Sequence, residues 1–482
     1  MGNSDLRQRT ARGFMWGFLN NGSMQLLGAV FGIILLRLLD QEDYGKIAML
    51  TVFSQVAGAL QESGFTQALC NLGKPTHRDY NSVFWCNIGI SSFLYLLLFF
   101  SAPAIARFYH DPSLVWLARY LFLGFFISSW GCVQHAWLFI HMKNREIAII
   151  TMASMLVSSL VGVGMALLGF AYWGLATQTI LFILVMAILR WHYSPWRPTL
   201  SFDFAPARRM FGFGSKLLLT NLFLQLNLHA FSVLLGRYFG DRLAGVYANA
   251  RKWCDMGANT INGMVSGIAQ PVLTQVRADR YRYCQVTRKM LRFISFISFP
   301  SMLGMGLVSR EFLLVTVGPK WEESAELMSL LCIYGAFYPI ATLYTQLTIS
   351  MGRSGVNLFS TMFQCFTIWG GLIALHGLGL RWMVVYFVCV NMSWLLVWQW
   401  WAHKLVGLRL WHVVLDICPF LVFTLLVLGF TWWVTLPLQH LPLALLLSRV
   451  VLAAVLYAGI MWLSGAKIMK ESIDYLRHKQ VR

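Results

Sequence analysis

The stretch "GVYANARKWCDMGANTING", residues 245–263, decides how this chain is threaded. It carries Arg251, Lys252 and Asp255 together with Asn249, Asn259 and Asn262, yet long apolar segments flank it on both sides. Hydropathy alone would leave it outside a membrane. Leaving it out reverses the parity of every later segment. The cations of "RADRYRYCQVTRKMLR", residues 277–292, would then fall on the outer side, against the bias that keeps Lys and Arg cytoplasmic. The charge pattern therefore predicts that 245–263 crosses.

The rest of the chain supplies the lipid context. Of its 482 residues 58% are hydrophobic and 12% charged, and the mean hydropathy is +0.62, far from the range of water-soluble domains. Apolar runs of roughly 18 to 25 residues, each long enough to cross about 30 Å of hydrocarbon as a helix, recur throughout. Spans are predicted at 14–37, 46–70, 84–105, 114–140, 147–168, 173–190, 212–236, 244–269, 291–308, 326–349, 356–375, 383–402, 413–434 and 443–463. The expected fold is an all-α polytopic membrane protein of about fourteen transmembrane helices. The first span is too long for a signal-peptide core and no small-residue cleavage site follows it, so it is read as retained.

An even number of spans places both tails on one side. Of the 38 Lys and Arg, about 26 fall on that side, about 8 opposite and about 4 within spans, so N and C termini are expected in the cytoplasm. The net charge of +19 is then topological, met by anionic lipid rather than by nucleic acid. The nine cysteines lie mostly in spans, without CxxC or Cys/His spacing, so neither a disulfide framework nor a metal site is expected.

A charged span is tolerable only if its charges turn away from lipid. Arg251, Asp255, Asn259, Asn262 and Ser266 fall within about 80° of arc on a helix. Unpaired, Arg251, Lys252 and Asp255 would together cost roughly 8 to 10 kcal/mol on insertion scales. An i,i+4 pair between Arg251 and Asp255 lowers that cost and water lowers it further. Two readings follow: a structural ion pair gluing one helix to its neighbours, or the lining of an aqueous cavity. Lys252 and the asparagines favour the lining, because a glue pair does not require them.

The chain also repeats. At an ungapped offset of 200 residues Asn21 meets Asn221, Gln25 meets Gln225, Arg9 meets Arg209, Arg37 meets Arg237 and Gly45 meets Gly245. The organisation read from this is a cytoplasmic tail (1–13), a six-helix half (14–190), a cytoplasmic linker (191–211) and a second six-helix half (212–402). Two appended helices (413–463) and a basic tail (464–482) complete it. Six is even, so the two pseudo-repeats enter from the same side around a central cavity. The same register sets Thr51 against Arg251, Gln55 against Asp255 and Glu62 against Asn262. Glu62 and Asp255 are read as the carboxylates well inside spans, hence as ion-coupling candidates. Asn21, Gln25, Asn221 and Gln225 form a second polar layer that either lines the cavity or packs helices. Arg119 and Arg449, near outer span ends, are read as snorkelling. Pro300 and Pro339 are expected to kink their helices.

Several segments resemble a known family: "ARGFMWGFLNNGSMQLLGAVFGIILLRLLDQEDYGKIAML" from Ala11, "LQESGFTQALCNLGKPTHRDYNSVFWCNIGI" from Leu60, "FGFGSKLLLTNLFLQLNLHAFSVLLGRYFGDRLAGVYANARKW" from Phe211, and "VGPKWEESAELMSLLCIYGAFYPI" from Val317. The chain resembles the polysaccharide-transporter branch of the multidrug/oligosaccharidyl-lipid/polysaccharide exporter superfamily, and within it the Wzx-type flippases nearest the colanic-acid exporters. The resemblance implies a bacterial inner-membrane flippase that moves an undecaprenyl-diphosphate-linked oligosaccharide to the periplasmic leaflet for capsule, exopolysaccharide or O-antigen synthesis. It implies no enzyme chemistry and no cofactor beyond an H⁺ or Na⁺ gradient, with a polysaccharide polymerase and a chain-length regulator as candidate partners beside membrane lipids.

For such a cargo the polar positions divide by chemistry. Arg251 and Lys252 suit a diphosphate, whereas Asn259, Asn262, Asn21, Gln25, Asn221, Gln225 and Gln55 suit sugar hydroxyls. Glu62 and Asp255 suit ion coupling. The rival readings are a multidrug exporter of the same fold, whose cavity is expected to be acidic, and a membrane glycan polymerase or ligase. The latter needs a large outer loop or a catalytic constellation. The longest outer loop read here, "SREFLLVTVGPKWEESA", has about 17 residues, and no nucleophile–base pair stands out.

Overall fold

In the computed structural model the described residues are 3–62, 69, 75–200 and 203–463, with side chains described outside 3–19, 59, 61–62, 204–218, 220, 268 and 354. Among them are fourteen long helices: α1 (Asn3–Leu38), α2 (Gln41–Glu62), α3 (His77–Tyr109), α4 (Leu114–Ile140), α5 (Asn144–Leu167), α6 (Tyr172–Tyr193), α7 (204–239), α8 (241–275), α9 (Arg280–Leu307), α10 (Glu323–Ser350), α11 (Ser354–Leu375), α12 (Leu380–Val406), α13 (Leu410–Val434) and α14 (Pro442–Leu463). Eleven are long and apolar enough to cross a membrane, and α2, α7 and α8 complete the set expected from the sequence. The chain is a multi-pass membrane protein. The far end of the second expected span, beyond Glu62, the tail 464–482 and the side chains of Arg9 and Arg209 lie outside the described residues.

Helix ends follow local chemistry. Thr76 begins α3 with a reciprocal capping box: its hydroxyl accepts from the Asp79 amide while Asp79 accepts from the Thr76 amide at 2.8 Å. Asp279 caps α9 by accepting from the Arg282 amide. Gly240, at φ +80°, separates α7 from α8 where a residue with a side chain would be strained. Pro300 and Pro339 lie inside helices that continue past them.

The repeat is visible in helix order. α3 to α6 begin at 77, 114, 144 and 172, and α9 to α12 begin at 280, 323, 354 and 380. The register slips between α9 and α10, where the stretch read as a loop contains a short helix (Ser309–Thr316) and a 3-10 turn (Pro319–Trp321) with Trp321 fully buried. That segment is packed structure because its apolar side chains have a core to enter.

The chain divides into two compact units, 1–245 and 246–482. In the first, α3 packs on α4, α5 on α6, α1 on α5, and α4 on α6. The segment after α6 is pinned to the start of α3: Trp196 is buried against Tyr80 and Phe84, Trp85 donates to the Thr199 carbonyl, and Arg78 pairs with Asp203. At the other end of this unit, a Cβ added at Gly45 would lie 2.5 Å from the Asp241 carbonyl carbon, and one at Gly245 would lie 2.8 Å from that of Gln41. Residues 41 and 241, like 45 and 245, are partners in the repeat register, so the contact is reciprocal, as in an isologous interface. In the second unit α9 and α12 flank α10, and α9 and α14 pack on α13.

Candidate functional site on helix α8

Helix α8 is two-faced. Residues Ala250, Trp253, Cys254, Ala258 and Ile261 are buried on one side against the second unit's own core. There Gly257 meets Met302 and Met305, Gly335 admits Cys254 and Ala258, and Ser324 donates to the Val246 carbonyl at 2.9 Å. The opposite side carries the polar stripe, so the stripe lies at the unit's surface rather than in its core.

Arg251 and Asp255 form the expected i,i+4 pair, with Nε 2.8 Å from both carboxylate oxygens. The Arg251 side chain is 15% exposed and that of Asp255 39%. Arg251 also reaches the Tyr247 hydroxyl at 3.5 Å and sits over the rings of Tyr334 and Phe387, 5.7 and 5.8 Å from their centroids. Tyr334 in turn packs on Tyr338. These aromatics come from α10 and α12. Their spacing in sequence gives no sign that they converge on Arg251, although Tyr247, Arg251 and Asp255 share one α8 face at i,i+4.

Lys252 differs. It is half-buried, its Nζ lies 5.6 Å from the centroid of the Trp253 ring, and it has no carboxylate partner among the described residues. A cation at this depth without a counter-ion is the expensive kind, and it is compensated when an anion or water reaches it. Further along, Asn259 is exposed, and Asn262 is half-buried with its Oδ1 lacking a protein partner.

In the first unit Asn21 and Gln55 are exposed and Gln25, Asn221 and Gln225 half-buried; none bonds another described residue. Asn20 and Asn227 each have an Oδ1 without a protein partner. Glu62 ends α2, and its side chain lies outside the described residues.

Two readings of charge are corrected. Glu62 and Asp255 are not alone: Asp416, in α13, is 5% exposed and accepts from Arg288 at 2.6 and 3.1 Å, with Arg292 3.8 Å away. It lies three residues inside the predicted span 413–434, where α9 covers and pairs it. Arg449 does not snorkel. It is 5% exposed, pairs with Glu311 at 3.0 Å and bonds the Thr435 hydroxyl, because the short helix after α9 brings a carboxylate to it. Arg119 is half-buried against Phe99 and Trp116, 4.3 and 4.9 Å from their centroids.

The chain is 23% identical to the lipopolysaccharide biosynthesis protein WzxC of Escherichia coli (strain K12), across 75% of this chain and 74% of that one. It is 24% identical to the teichuronic acid biosynthesis protein TuaB of Bacillus subtilis (strain 168), across 71% and 75%. In fold it is similar to the lipid II flippase MurJ in an inward closed conformation, with a TM-score of 0.69, 12% identity, and 94% and 99% of the two chains covered. An inward-facing multidrug resistance MATE family transporter also matches, with a TM-score of 0.61, 18% identity, and 80% and 94% covered. The sequence profile described as "Polysaccharide biosynthesis protein" matches residues 34–326, more than half of the chain. This chain therefore belongs to that family of polysaccharide biosynthesis proteins.

Proposed function

We propose that the protein is a flippase of the bacterial inner membrane. It carries an undecaprenyl-diphosphate-linked oligosaccharide from the cytoplasmic to the periplasmic leaflet by alternating access, without a chemical step, and with both termini in the cytoplasm. Its family and its likeness in fold to flippases and exporters support this reading. The observation that carries it is Lys252, a half-buried cation on a membrane helix with no carboxylate partner among the described residues.

Moving such a cargo requires that sugars and a diphosphate pass hydrocarbon while the prenyl chain stays in lipid. Lys252 meets the diphosphate as a point charge, and Arg251, fixed by Asp255, shapes the surface beside it. Asn259 and Asn262 continue the polar face and exchange bonds with hydroxyls. Gln55, Asn21, Gln25, Asn221 and Gln225 offer the same chemistry, consistent with their lack of bonds to other described residues. An organic-cation cargo would be repelled by Lys252.

Coupling to an H⁺ or Na⁺ gradient is assigned to Asp255 and Glu62. A polysaccharide polymerase and a chain-length regulator are the partners that would receive the product. The test is complementation of a deletion strain. Lys252→Ala, inserted normally, should leave surface polysaccharide low and lipid-linked oligosaccharide on the inner face; wild-type surface polysaccharide from that variant removes the assignment.

A further inference from the structure

A groove of about 450 Å³ lies between α4 and α6 of the first unit, walled by Phe126, Ile127, Trp130, Leu184, Ile188 and Trp191. Its wall is almost wholly apolar, and its longer side, 184–191, runs about two helical turns, roughly 11 Å, so it accommodates part of one hydrocarbon chain. Any lipid-facing trough fills with hydrocarbon. The chemistry at one end of this one is more selective.

Trp191 closes that end and donates Nε1 to the Trp130 carbonyl at 2.6 Å, tying the two walls together across the helices. The Arg197 guanidinium lies 5.4 Å from the centroid of the Trp191 ring. Arg197 is exposed and has no carboxylate partner among the described residues; it is held in place by the carbonyls of Ser194 and Trp196, the latter at 2.9 Å.

We propose that the α4–α6 groove binds one anionic membrane phospholipid, with an acyl chain along the apolar walls and its phosphodiester against Arg197 where that residue covers Trp191. A basic end on an apolar trough between membrane helices matches the two ends of such a lipid.

The test uses delipidated full-length protein in detergent, with retained phosphatidylglycerol and phosphatidylcholine counted by native mass spectrometry. Phosphatidylglycerol should be retained about fivefold over phosphatidylcholine, the scale of one cation at a membrane surface. Arg197→Ala should abolish the preference and Arg197→Lys keep most of it. Ile188→Trp, which fills the groove, should lower retention of both lipids, while Arg107→Ala at the far end of the same unit should change nothing. Equal retention of the two lipids by the wild type overturns the proposal. So does an undiminished preference in both Arg197→Ala and Ile188→Trp, or displacement of phosphatidylglycerol by an equal concentration of polyprenyl phosphate.

Discussion

Gly45 and Gly245 stand 200 positions apart in sequence and side by side in the structure: a Cβ added at Gly245 would lie 3.0 Å from the backbone nitrogen of Gly45. Each glycine also faces the backbone of the residue four positions before the other, Asp241 and Gln41. No flexible side chain is there to yield, so a methyl group must push the two turns apart.

Gly45→Ala and Gly245→Ala are therefore each expected to destabilise the protein by about 1–3 kcal/mol, the cost of overpacking a fixed contact. Because both act on one contact, the double variant should lose clearly less than the sum of the two. Thermal unfolding in detergent of the four proteins measures this; full additivity would mean that the two turns do not share a contact.

The Arg251–Asp255 pair separates structure from transport. Asp255→Asn should cost about 1–3 kcal/mol, since it leaves the 15%-exposed Arg251 without its carboxylate. The exchanged pair Arg251→Asp/Asp255→Arg should recover that stability but not export, because the cation then sits one turn away from Lys252. Recovery of both would make the pair helix glue.

The Arg449–Glu311 pair is a different case, with side chains 6% and 10% exposed. Glu311→Gln strands a buried guanidinium and should cost about 3–5 kcal/mol, whereas Arg449→Met combined with Glu311→Leu should be near neutral. Melting temperatures of the single and double variants check this, and a harmless Glu311→Gln would show that water already reaches Arg449.

Coupling has its own test. Glu62→Gln and Asp255→Asn should uncouple export from the gradient. Cells carrying either variant should show less than a tenth of the wild-type response of export to collapse of the H⁺ or Na⁺ gradient. A full response in Glu62→Gln would remove Glu62 from the assignment.

What could be read from residues alone follows the range of the forces involved. Spans are set by runs of apolar side chains and helix ends by residues such as Thr76 and Asp279, so both are local and legible. The membership of α8 was also legible, because parity is a property of the whole charge pattern. The aromatic wall of Tyr334 and Phe387 was not, since it is assembled from α10 and α12 and no local spacing records a meeting between helices. Arg449 was misread, and the burial of Asp416 and Glu311 was not visible, for a related reason. A charge near a span end looks solvated until a neighbouring helix, here α9 or the short helix after it, covers and pairs it. The Gly45–Gly245 contact was half visible, as a repeat match without its geometry.

The most direct measurement is transbilayer movement of a polyprenyl-diphosphate-linked oligosaccharide in proteoliposomes containing the wild type, Lys252→Arg or Lys252→Ala. A cation that meets the diphosphate predicts near wild-type movement with Lys252→Arg, and a rate about tenfold lower or worse with Lys252→Ala at unchanged melting temperature, the loss of one charge-assisted contact. Movement at the wild-type rate by Lys252→Ala, or none by the wild type, would contradict it.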